Sequence, residues 1–224
     1  MSPRLHRAAA APTEAAFDPV DPEPSAFDDT RLLAVILSGG SAAGATLAAA
    51  LTARFGSLGA VLAADAGELG RAGAGPAEVR RLGCLREAAV RCAREALRDR
   101  PVISSWSQLL AYVRTALANL PREEFRALFL DKRNVLIREE LTASGTIDHA
   151  PVYPRELVRR ALELSASAMI LVHNHPSGDP TPSTADIDMT RKVIEAARVF
   201  DIQVHDHLIV GRHGTASFKS LGLI

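Results

Sequence analysis

The chain is poor in cysteine and carries no excess of either charge. Cys84 and Cys92 are its only two in 224 residues, eight positions apart within one helical pattern. Along a helix that is roughly two turns, too far for a disulfide. The pair therefore reads as small core hydrophobes of a reducing, cytoplasmic compartment. Lys plus Arg equals Asp plus Glu at 26 each, which excludes a chain built around bulk charge; any basic surface must be local. A secretory signal is not expected, because Arg4 and Arg7 precede only a short alanine run. Leu32 to Ala53 is uncharged and long enough for a membrane span, but Ser38-Gly39-Gly40-Ser41 interrupts it. It reads as two helices joined by a turn, and no membrane contact is expected.

The length fits one large domain or two small ones. Residues 1–29 mix Pro3, Pro12, Pro19, Pro22 and Pro24 with Asp18, Asp21, Glu23, Asp28 and Asp29, a composition expected to form a disordered lead. From residue 30 to 100 the pattern is helical, punctuated by glycine turns. Gly73-Ala74-Gly75-Pro76 ahead of Ala77-Glu78-Val79-Arg80-Arg81-Leu82 places Pro76 at a first helical position, where free backbone amides suit a phosphate. Eight arginines between Arg71 and Arg100 face four acids, Glu78, Glu87, Glu95 and Asp99. A local DNA contact and an ordinary helix turn with solvated arginines explain this equally well.

The composition changes near residue 101. A helix is expected over Gln108 to Asn119. Phe125 to Leu130 and Val135 toward Ile147 read as a hairpin across Asp131-Lys132-Arg133-Asn134. Pro154 opens a helix, and Ala168 to His175 is a strand apolar on both faces. A helix over Ser183 to Phe200 and strands over Ile202 to Val210 and Thr215 to Phe218 follow. The order β-β-α-β-α-β-β predicts an α/β sandwich over 101–224, following the helical domain over 30–100.

The chemistry concentrates in Met169-Ile170-Leu171-Val172-His173-Asn174-His175-Pro176-Ser177-Gly178, continued to Ser183-Thr184-Ala185-Asp186. On an extended strand His173 and His175 share a face and Asn174 points away. Two imidazoles with a carboxylate brought over from the next element are three ligands of the kinds zinc takes, with a fourth position left for water. Ser183 to Asp186 alone reads equally well as a helix capping box.

His-x-His, seven residues, Ser, two residues and Asp matches the JAMM zinc motif of the JAB1/MPN metalloprotease family. The longer string His173 to Ser183, with Pro151-Val152-Tyr153-Pro154-Arg155-Glu156 and Asp206-His207-Leu208-Ile209-Val210-Gly211, resembles the bacterial RadC family. The resemblance runs from about Arg31 to the C-terminus and is weaker in the helical part, where RadC proteins carry a helix-hairpin-helix-like module. It implies a JAB1/MPN, cytidine-deaminase-like α/β sandwich with a mixed sheet. It also implies zinc ligands His173, His175 and Asp186, with Ser183 as hydrogen-bond donor to the oxyanion or bound water.

The family's general base is a glutamate on the first strand. Glu123 is the expected one, two residues before Phe125, with Glu124 in reserve and Glu139 and Glu140 behind them. Such a site suits hydrolysis of an amide or isopeptide bond in a protein or peptide substrate. A zinc deaminase shares the layout but needs a Pro-Cys-x-x-Cys ligand pair, which neither cysteine supplies. The alternative is a DNA-repair accessory whose metal domain is structural. His205 and His207, a second His-x-His, are expected to support the structure or the ligands rather than to bind metal.

Overall fold

The computed structural model describes residues 23–144 and 152–224. Most of the expected lead, the predicted strand residues beyond Ser144, and His149 lie outside them. No helix among the described residues is long and apolar enough to cross a membrane.

Five helices form the first part: α1 (Asp29–Ser38), α2 (Ala42–Phe55), α3 (Leu58–Ala63), α4 (Ala66–Arg71) and α5 (Pro76–Glu95). Each of the first four starts on a side-chain cap, from Asp28, Ser41, Ser57 and Asp65, whose oxygen takes an otherwise orphaned amide. The turn at Gly39 and Gly40, both with positive φ, divides the apolar run of α1 and α2. Leu33, Leu37, Leu51, Val61, Leu69 and Leu82 close one core among these helices. Helix α5 then leaves it: Val90, Ala93 and the following Leu97 pack in a different core with the sheet.

The second part is a five-stranded mixed sheet in the order β2-β1-β3-β4-β5. The strands are β1 (Glu124–Leu130), β2 (Leu136–Ser144), β3 (Ala168–Asn174), β4 (Gln203–Gly211) and β5 (Gly214–Ser217). Only β3 and β4 run parallel, and the remaining neighbours are antiparallel. Helix α6 (Trp106–Leu117) covers one face; α7 (Pro154–Glu163) and α8 (Thr184–Arg198) cover the other. The period of two decides which side chain meets which helix. Leu128, Leu130, Ile170 and Val172 join α6, while Phe125, Ala127, Phe129, Met169 and Leu171 join α7 and α8. Every residue of β3 is buried, as its apolar run requires of a central strand.

The predicted fold class is what the structure shows, with element ends shifted by a few residues. One expectation is corrected: Cys84 and Cys92 are both exposed. The stripe that α5 buries runs through Val79, Leu82, Val90 and Ala93, and neither cysteine falls on it.

Leu171 sits at the centre of the sheet with no solvent exposure. Leu171→Ala is expected to lower stability by about 2–5 kcal/mol, read as a shift of the urea unfolding midpoint at unchanged slope.

Candidate metal centre

The centre forms where β3 ends. His173 is its penultimate residue and fully buried, while His175 lies just past the strand, its side chain 18% exposed. Helix α8 begins over them on the same face. Ser183 is its N-cap and Asp186 its third residue, and the two form a capping box. The amide and the hydroxyl of Ser183 both donate to Asp186 Oδ2, at 2.8 and 2.6 Å, and the Asp186 amide donates back to Ser183 Oγ at 3.1 Å. Capping thus occupies Oδ2 and leaves Oδ1 facing His173 Nε2 at 3.3 Å. The helix start and the ligand arrangement are the same object.

His173 Nε2 lies 3.0 Å from His175 Nε2, and His175 Nε2 lies 3.5 Å from Asp186 Oδ2. Four-coordinate zinc with bonds of about 2.0 Å sets its ligand atoms about 3.3 Å apart. The three groups form a His-His-Asp set able to hold a metal ion. The chemistry of the donors agrees with the spacing. His175 Nδ1 is 2.9 Å from the Asp179 carbonyl, which only accepts, so Nδ1 carries the proton and the neutral ring turns a bare Nε2 inward.

Burial by itself would raise the Asp186 carboxyl. Its contacts with His173 and His175, and with the Ser183 hydroxyl, outweigh that and hold it far below the carboxylate range. His175 is raised above the ordinary imidazole value chiefly by Asp186, against partial burial, with smaller contributions from the Asp179 carbonyl and the charge of Glu123.

The four glutamates separate by strand alternation. Phe125 pairs with His173 and stacks on its ring at 5.8 Å. Glu123 lies one residue before β1, half-buried, and near enough to the centre for its charge to raise His175. Glu124 points to the opposite face, where Arg126 donates to its Oε2 at 2.7 and 3.2 Å. Glu139 takes Arg126 and the Tyr112 hydroxyl on the α6 side. Glu140 takes Arg160 of α7. Of the second His-x-His, His207 is buried, with Nε2 at 2.8 Å from His173 Nδ1, and burial pushes it well below its ordinary value. His205 instead contacts Asn134 Oδ1 at 2.7 Å.

Residues 103–223, more than half of the chain, match the model of the RadC-like JAB domain. The chain belongs to that family. It is 54% identical over 171 residues to a UPF0758 protein of Rhodobacter capsulatus, across 76% of this chain and 80% of the relative.

In this RadC-like domain the part played by Asn174 escaped the sequence reading except for its direction. Asn174, buried between the two histidines, turns toward the α6 side and grips the connection that carries Glu123. Its Oδ1 accepts from the Glu124 amide at 2.9 Å and its Nδ2 donates to the Arg122 carbonyl at 3.0 Å. The only available signal was an amide in a strand otherwise apolar on that face. The loop after His175 is pinned as well: a side chain on Gly211 would meet the Gly178 carbonyl oxygen at 2.2 Å. Only glycine lets β4 pass so close beneath the loop.

Asn174→Ala is expected to cost about 1–3 kcal/mol, because it leaves the Glu124 amide and the Arg122 carbonyl unpaired. Urea unfolding of the metal-free chain measures it.

Proposed function

We propose that this chain is a zinc-dependent hydrolase of amide or isopeptide bonds in a protein or peptide substrate. The observation that carries the reading is the convergence of His173, His175 and Asp186, with edges of 3.0 to 3.5 Å, near enough to Glu123 for its charge to act on His175. Those three side chains would hold the ion. Bound zinc lowers the pKa of a water to about 7 and polarises a carbonyl oxygen.

The chain's own residues supply the rest. The Glu123 carboxylate takes a proton from the attacking water and returns it to the leaving amine nitrogen, the work of a general base that becomes a general acid. Ser183 would turn its one hydroxyl proton from Asp186 Oδ2, which keeps the Ser183 amide as donor, to the tetrahedral oxyanion. Asn174 fixes the backbone on both sides of Glu123. Glu124, Glu139 and Glu140, each engaged by an arginine, are left out of the chemistry.

Purified protein is expected to hold about one zinc per chain, lost in His173→Ala and Asp186→Asn. Glu123→Gln should keep the metal while lowering turnover of peptide or isopeptide substrates by about 10²–10⁴-fold. A folded chain that takes no zinc ends this reading, and loss of turnover in Glu124→Gln alone would move the base to Glu124.

A second reading concerns the helical part. Arg80, Arg91 and Arg94 are exposed along α5 and Arg98 just past its end, which supports a DNA contact there. The turn at Gly75 is less open than the sequence implied. Glu78 Oε2 would lie 2.7 Å from a Cβ at Gly75, and Arg81 donates to the Leu37 carbonyl. If DNA binds, affinity falls with rising salt, and neutralising Arg80 and Arg91 together reduces the slope of that dependence by about two. Unchanged binding in that double variant removes α5 from the contact.

A further inference from the structure

Behind the candidate metal centre lies a row of three buried groups that ends on the helix carrying Asp186. His173 Nδ1 meets His207 Nε2 at 2.8 Å, and His207 Nδ1 meets Thr190 Oγ1 at 2.6 Å. Thr190 Oγ1 in turn donates to the Asp186 carbonyl oxygen at 2.6 Å. His173, His207 and Thr190 are all fully buried, and each contact in the row is a direct one.

The row has one self-consistent set of protons. A carbonyl oxygen only accepts, and a threonine hydroxyl has a single proton to give. That proton is committed to the Asp186 carbonyl, so the contact with His207 requires the ring to donate from Nδ1. A neutral imidazole protonated at Nδ1 is bare at Nε2. His173 must then donate from its own Nδ1, and in the neutral ring its Nε2 is left bare, 3.0 Å from His175 Nε2 and 3.3 Å from Asp186 Oδ1, a set of acceptors that a cation among them satisfies. The opposite assignment would set the hydroxyl oxygen against the carbonyl oxygen at 2.6 Å with no proton between them.

We propose that Thr190 is a positioning residue that sets the tautomer of His173 through His207, keeping Nε2 of His173 free to bind a cation. Thr190 does this without a contact to any of the three ligand side chains, reaching only the Asp186 backbone, and His207 acts as the transmitter rather than as a ligand. The inference rests on the reading of His173 as a metal ligand, but its test does not depend on hydrolysis. Metal ligands ordinarily fix their tautomer through the second ring nitrogen. Here the fixing group is two residues removed, and it lies one turn along α8 from the carboxylate of the same centre.

The experiment uses the full chain, metal-free, with ¹⁵N-labelled histidine. Ring-nitrogen NMR of the wild type is expected to show His173 and His207 protonated at Nδ1 and bare at Nε2. Thr190→Val keeps the branched shape and removes the hydroxyl, so both rings should populate the Nε2–H form. Zinc affinity, measured by competition with a chelating indicator, should then fall by about 10–100-fold. Thr190→Ser should restore both readings.

Wild-type tautomers retained in a folded Thr190→Val chain overturn the proposal, as does weaker zinc binding without a tautomer change. Should Thr190→Val fail to fold, the wild-type spectrum decides: a His173 ring protonated at Nε2 overturns it. A chain that hydrolyses nothing can still show these tautomers, and a hydrolase can lack them, so the two readings fail separately.

Discussion

The alternation of side chains along β3 is the constraint on which the rest of the RadC-like JAB domain depends. The strand is buried on both faces, so each residue must satisfy whichever helix layer it meets. Through Val172 the need is met with hydrocarbon. The last residues meet it with polar groups, and each is answered by a specific partner. His173 turns to the α8 side and finds His207 behind it and Asp186 above it. Asn174 turns to the α6 side and closes hydrogen bonds on the chain entering β1. One dipeptide thus orders both sides of the sheet at the place where the chemistry gathers.

Burial sets the stakes of those contacts. An unpaired polar group in such a position costs far more than a typical hydrogen bond contributes. Among the described residues the accounting is nearly complete: Gln108 Oε1 is the one buried side-chain atom without a partner. Buried Asp206, next to His207, accepts from Ser217 Oγ at 2.5 Å and from the Lys219 amide at 3.0 Å. It ties the C-terminal turn to β4, and Phe218 packs against the His207 ring, with centroids 4.5 Å apart. The end of the chain therefore helps hold a histidine that touches the centre.

Much of this was legible in the sequence. Period-two and helical patterns, with Pro154 and Ser183 as start signals, were enough for the α/β class, and the spacing from His173 to Asp186 was enough to bring three side chains together. Choosing between the capping box and the His-His-Asp set was unnecessary, because one carboxylate takes part in both. What sequence could not show depends on contacts between distant elements. Thr190 looks like any helix residue until β4 places His207 beside it, and Asn174 gains its partners from residues some fifty positions away. Cys84 and Cys92 were misread because small apolar residues suit a core, yet the buried stripe of α5 is spaced so that both fall outside it.

The capping box has a further implication for how the centre comes apart. The first turn of a helix is its least secure, and here that turn carries the Asp186 carboxylate. Unwinding α8 by one turn at its start would swing Asp186 away from both histidines, while the buried stripe of Thr190, Val193 and Ala197 stays packed. Release of a bound ion and fraying of a helix end would then be one event, set by the local stability of a few residues rather than by the stability of the whole fold.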